Sequence, residues 1–185
     1  SFLFRVEPVN DAPTLADIAD LVIDEDSDPV TIPVKVNDID SPLQSVRLTA
    51  VSANTELVPQ SLITTGGESS NRFITLKPAP NASGQTVITV AADDGSLTNR
   101  RAFLLTVRPV NDGPVIAAIP PVSILEDSLD AVVPISVTDI DSPQASITLS
   151  ATSSVPSLVS ASGLKFRGTS ANRELLITPN PNQNR

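Results

Sequence analysis

Val9-Asn10-Asp11-Ala12-Pro13 returns 101 residues later as Val110-Asn111-Asp112-Gly113-Pro114. The same offset relates residues 9–84 to residues 110–185, which agree without a gap at 31 of 76 positions. Self-similarity at one fixed offset is the sequence signature of tandem repeats. The chain is therefore interpreted as a window on a repeat array.

The offset also defines the expected domain boundaries. Residues 1–9 match the end of the first copy and are predicted to be the last strand of a preceding repeat. Residues 10–110 form one complete repeat, and residues 111–185 form a second repeat that lacks its last two strands. We expect those strands to come from following sequence or from a neighbouring subunit, because an open sandwich exposes its core and a sheet edge.

Apolar and polar residues alternate in many short segments, such as Val30–Val36 and Thr86–Val90. This period of two is typical of half-buried strands, and Asn, Asp, Gly and Pro separate the segments. About seven strands in ~100 residues predict an all-β sandwich for each repeat. Pro33 and Pro134 stand at the same point of the same strand, which predicts an edge strand or a bulge there.

The composition excludes most catalytic chemistry. The chain has no His, Cys, Met, Trp or Tyr. Without imidazole or thiol, no Ser-His-Asp arrangement, thiol nucleophile or thiolate metal site can form. A carboxylate pair could serve a glycosidase, but every candidate lies in a repeated turn without an aromatic sugar platform. The prediction is that this chain is not an enzyme.

The net charge of −9 argues against nucleic acid and anionic membranes as partners. It favours hard cations, which bind oxygen ligands. The sequence contains no run of 18 apolar residues, so no membrane-spanning segment is expected.

The repeated acidic and amide side chains fall in predicted turns, at the junctions between copies and on either side of one strand. A D-x-D pair at a strand end places two carboxylates on the same side of the chain, where they can hold one cation. The same residue types also build ordinary turns by bonding their own backbone, and this interpretation stays open. The candidate metal ligands are Asn10, Asp11, Glu25, Asp38, Asp40, Asp93, Asn111, Asp112, Glu126, Asp139 and Asp141.

The ordered set Glu-Asp-Ser, D-x-D-Ser, A-x-D-x-G and V-N-D-x-P resembles the cadherin repeat. It is more similar still to the cadherin-like and immunoglobulin-like repeats of bacterial surface proteins. The resemblance covers the whole chain and implies seven-stranded Greek-key sandwiches joined end to end, with calcium at each junction. Residues 77–81 replace the L-D-R-E motif of the animal family, so we expect one ion per junction.

The resemblance also implies how the ligands are divided between sites. One set is Asn10, Asp11, Asp38, Asp40 and Asp93. The other set, across the junction between copies, is Glu25, Asp112, Asp139 and Asp141, while Asn111 and Glu126 match the linker and first-strand positions of the family.

Two classes of function follow, both extracellular or at a bacterial cell surface. The favoured one is a calcium-stiffened structural repeat of a stalk, fibre or filament, because the copies align without gaps and show no long insertion. The alternative is an adhesive or ligand-binding module, for which exposed aromatic side chains would be typical. The expected partners are neighbouring repeats in cis and identical subunits in trans.

Overall fold

The computed structural model describes residues 2–183, in which β-strands are joined by turns and irregular loops. The helices of the described part are three single 3-10 turns, Gln60–Leu62, Gln144–Ser146 and Ala161–Gly163. This confirms the predicted all-β class. The chain divides between Val110 and Asn111 into two compact units, which are described separately. None of the described residues lies in a helix long and apolar enough to cross a membrane.

The first unit contains two four-stranded sheets. The first sheet has the order β1-β3-β6-β5, and the second has the order β2-β8-β7-β4. The strands are β1 Thr14–Leu15, β2 Leu21–Asp24, β3 Val30–Asn37, β4 Arg47–Ser52, β5 Ile63–Glu68, β6 Asn71–Leu76, β7 Gly84–Asp93 and β8 Thr98–Arg108.

The core of the first unit lies between these sheets and is almost wholly aliphatic. Alternation along β3 and β6 turns Val34 and Ile74 inward, and alternation along β7 turns Ile88 inward to meet them. Each of these side chains is at most 1% exposed, as is Leu105 on β8. Burial of such side chains is the main favourable term in folding.

The N-terminal part of the unit contributes to both sheets. β1 pairs antiparallel with β3 in the first sheet, whereas β2 pairs parallel with β8 in the second. This division raises the strand number to eight, where the family resemblance implied seven. Between β1 and β2 the chain passes from the first sheet to the second. Asp20 holds it there, because its Oδ1 accepts the Leu104 backbone N–H at 2.8 Å just before β2 begins.

Pro33 was predicted to lie on an edge strand or at a bulge, and its own position in β3 does have a free edge. β3 lies inside its sheet, but β1 pairs with it only at Val36 and Asn37. At Pro33 the one paired neighbour is Phe73 on β6, so the missing backbone donor faces no strand. Pro134 is placed in the same way in the strand Ala131–Thr138, which pairs with its short neighbour only at Val137 and Thr138.

The second unit contains β9 Val115–Ile116, β10 Ala131–Thr138, β11 Leu164–Arg167 and β12 Asn172–Ile177. Their order β9-β10-β12-β11 reproduces the first sheet of the first unit. Residues 122–125 and 148–153, which the offset matches to β2 and β4, are not strands. No segment of residues 111–183 matches their partners β7 and β8, so these segments have no strand to pair with in the described part of the unit.

The strand predicted over residues 1–9 is not formed by residues 2–9, and Ser1 lies outside the described residues. Phe2 and Leu3 are 90% and 94% exposed. A strand forms where a neighbouring strand takes up its backbone hydrogen bonds, and no described segment pairs with these residues. Their assignment to a preceding repeat stays a prediction.

Replacing Ile74 by Ala should destabilise the first unit by about 2–5 kcal/mol, because it removes fully buried methyl groups and leaves a cavity. Val51→Ala is the matched control, since Val51 is 50% exposed on the outer side of β4. Its cost should stay below about 1 kcal/mol. Urea unfolding of both variants measures the difference, and equal costs would contradict the assigned core.

Candidate functional site

The D-x-D segment forms a tight turn directly after β3. Asp38 Oδ1 accepts the backbone N–H groups of Asp40 and Ser41 at 2.9 and 2.7 Å. In the second unit, Asp139 Oδ1 accepts those of Asp141 and Ser142 at 3.0 and 2.7 Å. A carboxylate that accepts from residues two and three positions onward is a standard way to fix a turn.

The second aspartate of each D-x-D pair holds the V-N-D-x-P segment, residues 9–13 or 110–114, which we call the linker. Asp40 Oδ2 accepts the Asp11 backbone N–H at 2.7 Å, and Asp141 Oδ2 accepts that of Asp112 at 2.5 Å. We call these two contacts the linker latches. The asparagine before each latch donates from Nδ2 to the next backbone carbonyl, at 3.1 Å for Asn10 and 2.7 Å for Asn111.

Asp93 and Asp94 build the hairpin between β7 and β8. Asp93 Oδ1 accepts the Gly95 N–H at 2.7 Å, and Asp93 Oδ2 accepts the Thr98 hydroxyl at 3.1 Å. Gly95 has a φ of +98°, which most other residues avoid. Asp94 Oδ2 accepts the Asn10 Nδ2 donor at 2.9 Å, so the linker is also tied to this hairpin.

The hydrogen bonds to Asp94 favour its ionised form. The Asn10 side chain, followed by the backbone N–H groups of Leu97 and Ser96, lowers the pKa of the Asp94 carboxyl. Because the folded-state pKa is lowered, this contact favours the folded arrangement at neutral pH. The contribution is lost as the pH falls through the lowered pKa.

Glu25 and Glu126 are repeated in sequence but lie in different surroundings. Glu25 is 4% exposed, and its Oε1 accepts the Val110 N–H at 2.7 Å. Its own N–H donates to the Arg108 carbonyl at 3.0 Å, which extends the pairing of β2 with β8. Glu126 is exposed in a turn.

Of the first expected ligand set, Asn10, Asp11, Asp38 and Asp40 are joined through the latch. Asp93 lies in the hairpin, and Asp94 contacts Asn10 in its place. Across residues 2–183, no three carboxylates lie close enough together to form a metal group by themselves. Asp38 Oδ2 has the properties of a cation ligand, because this oxygen is buried and has no hydrogen-bond partner in the described chain.

The second expected set lies partly in each unit. Asp112, Asp139 and Asp141 are joined in the second unit by its latch. Glu25 lies in the first unit and accepts a hydrogen bond at the end of β8. Its role as a ligand stays a prediction.

Sequence reasoning missed a further side-chain hydrogen bond, from a backbone N–H to an aspartate, that occurs in both units. Asp26 Oδ1 accepts the Asn81 N–H at 3.0 Å, and Asp127 Oδ1 accepts the Asn182 N–H at 2.9 Å. These four residues have positive φ angles, from 53° to 60°, which Asn and Asp tolerate better than most residues. Their identity at the 101-residue offset was the available signal.

Arg72 and Arg173 were also missed as structural residues, although their identity across the repeat was visible. Arg72 donates to the carbonyls of Ser69, Leu43 and Val46. Nothing in the sequence marks a backbone carbonyl as an arginine acceptor.

Asn10→Ala should raise the pKa of Asp94 towards its ordinary value, because it removes the strongest donor to that carboxylate. An NMR titration of the carboxyl carbon measures the change. Asn111→Ala is the control, since it makes the same substitution in the other linker. An unchanged Asp94 pKa in Asn10→Ala would contradict the contact.

The chain was compared with known proteins. A family model described as a bacterial Ig domain matches residues 10–104, just over half of the chain. A search of curated proteins found no match.

Several solved structures are similar to the chain. The titin domains Z1Z2 in complex with telethonin give a TM-score of 0.41 at 12% identity, covering 94% of this chain and 84% of that one. Domains 4 and 5 of the S-layer protein SbsC give 0.39 at 17% identity, covering 56% and 54%. An endo-fucoidan hydrolase of glycoside hydrolase family 107 gives 0.43 at 16% identity, covering 95% and 25%.

The family match spans both sheets of the first unit, from the linker to the middle of β8. The chain belongs to the bacterial Ig domain family.

Proposed function

We propose that this chain is a structural repeat of a bacterial extracellular stalk, fibre or filament, built from tandem Greek-key sandwiches and stiffened by calcium. The linker latch is the observation that supports the proposal most directly. The same carboxylate-to-linker contact occurs in both units, with the same turn behind it. A linker that is hydrogen-bonded to its own domain in both units has less freedom to bend, as a structural spacer requires.

The strand pairing of the first unit suits a domain that bears load. β2 lies near the start of the unit and pairs parallel with β8 at its end. A pull on the two ends loads these hydrogen bonds together, in shear. Two side-chain contacts reinforce this pair of strands. Arg108 Nε lies 2.8 Å from Asp24 Oδ1, and the Glu25 side chain accepts the Val110 N–H in a part-buried hydrogen bond.

Calcium fits the oxygen atoms around the first latch. Asp38 Oδ2 is buried and has no hydrogen-bond partner in the described chain, and it shares a turn with Asp40, whose Oδ2 accepts the Asp11 backbone N–H. The carboxylates of Asp38 and Asp40 carry like charges within one turn, and a cation would offset their repulsion. A bound calcium ion would supply the positive charge, and it accepts carboxylate, amide and carbonyl oxygens together.

We expect a matching site at the second latch, formed by Asp112, Asp139 and Asp141. Substituting Asp139 and Asp141 by Asn keeps oxygens that can accept the turn and linker N–H groups but removes the charges. The double variant should keep its fold and lose the calcium response of this latch. Affinity in the unmodified chain should be about 10⁻⁴–10⁻³ M, as in other extracellular modules.

Small-angle scattering and thermal melting, with calcium and then with chelator, measure that response. In the unmodified chain, calcium should raise the melting temperature and the maximum dimension. Asp127→Asn is the matched control, because it removes one charge outside the latch and keeps an acceptor for Asn182. If calcium changes neither quantity in the unmodified chain, the calcium proposal fails and the turn interpretation stands.

Glu25→Ala should weaken the first unit under force, because it leaves the Val110 N–H without its partner. The loss of a charged hydrogen bond, about 1.5–3 kcal/mol, predicts unfolding at least tenfold faster at a given force. Single-molecule pulling of the whole chain measures the rate. Glu68→Ala on the exposed β5 strand is the control, and an equal effect there would contradict the load-bearing role of β2 and β8.

A further inference from the structure

One charged side chain in each unit is absent from the candidate ligand set but lies behind the D-x-D turn. Arg72 is on β6 and Arg173 is on β12, at equivalent positions of the repeat. Arg72 pairs in register with Val34, and Arg173 pairs with Ile135, so each arginine lies on the same side of its sheet as a core residue. Arg173 is only 6% exposed.

Each arginine donates to three backbone carbonyls at equivalent places. Arg72 Nε donates to the Ser69 carbonyl at 2.9 Å, and Arg173 Nε donates to that of Ser170 at 3.0 Å. Arg72 Nη2 donates to the carbonyls of both Leu43 and Val46. The terminal nitrogens of Arg173 reach the carbonyls of Gln144 and Ile147.

Two of the three acceptors in each unit lie in the loop that carries the D-x-D pair. Residues 38–46 leave β3 at Asp38 and return to the second sheet at β4, and the guanidinium holds the returning end. Asp38 holds the starting end through its two backbone bonds. Asp40, which accepts the linker N–H, lies between these two fixed points.

The second unit shows whether the arginine contacts depend on a complete sandwich. Its described residues form one sheet and no counterpart of β7 or β8. The contacts of Arg173, Asp139 and Asp141 are nevertheless the same as those in the first unit. The arrangement therefore needs the first sheet and the loop, and it does not need the second sheet.

We propose that Arg72 and Arg173 are the positioning residues of the two linker latches. Each guanidinium fixes the D-x-D loop against the end of the first sheet, so that the second aspartate faces the linker N–H. Arginine suits this role because it stays charged and presents several donors in one plane. Lysine carries the same charge on a single nitrogen and cannot reproduce the fork.

The inference rests on the proposed importance of the latch, but its test does not depend on calcium or on force. Arg72→Lys in the whole chain should lower the exchange protection of the Asp11 and Asp40 amides at least tenfold. The Asp112 and Asp141 amides are an internal control and should keep their protection. Arg173→Lys should give the reverse pattern. Amide hydrogen exchange followed by NMR measures both.

A matched variant separates positioning from general stability. Arg101→Lys makes the same change on β8, where Arg101 Nε lies 3.0 Å from Asp17 Oδ1, and it should leave the latch amides unchanged. The Val90 amide in β7 reports on the second sheet and should stay protected in Arg72→Lys. Uniform loss of protection across the first unit, or no loss at Asp11, would overturn the proposal. Selective loss at the latch in a chain that ignores calcium would support positioning and overturn only the calcium proposal.

Discussion

The pairing of β7 with β8, ten residue pairs long, is the interaction on which the second sheet depends. These two strands form the middle of that sheet, with β2 on one side and β4 on the other. Residues 148–153 keep apolar residues at the places that match Leu48 and Ala50, yet they form no strand. Alternation of apolar and polar residues makes a segment suitable for a strand. The strand forms only where a neighbouring strand takes up its backbone hydrogen bonds.

The same distinction explains how much of the fold was predictable. Alternation along β3, β7 and β8 predicted the strands and their buried sides, because the period of side chains is a local property. It did not predict the separate strands β1 and β2, or the parallel pairing of β2 with β8. Pairing partners are set by contacts between residues far apart in sequence. Asp20 accepts the Leu104 N–H on β8, and nothing in the sequence marks it for that contact.

The candidate site was predictable where a side chain binds the backbone nearby. Asp38 is an example, because the turn interpretation of the D-x-D pair predicts bonds to its own backbone, and Asp38 Oδ1 accepts the Asp40 and Ser41 N–H groups. The bond from the Asp11 N–H to Asp40 was not predicted, since the family resemblance joined these residues only as shared cation ligands. The contacts of Arg72 could not be predicted, because its acceptors are carbonyls that every residue carries. Glu25 and Glu126 illustrate the remaining limit, since one repeated residue is buried in the first unit and exposed in the second.

Turn formation and cation binding do not exclude one another at these carboxylates. Asp38 uses Oδ1 for two backbone N–H groups, while Oδ2 is buried and has no partner among the described residues. A carboxylate has lone pairs for both tasks, and the backbone bonds fix the direction of the second oxygen. Asp94 differs, because both of its oxygens already accept hydrogen bonds. The turn thus fixes the direction of Asp38 Oδ2 and leaves that oxygen available for the cation that we propose, while the bonds that hold the loop are made within the chain itself.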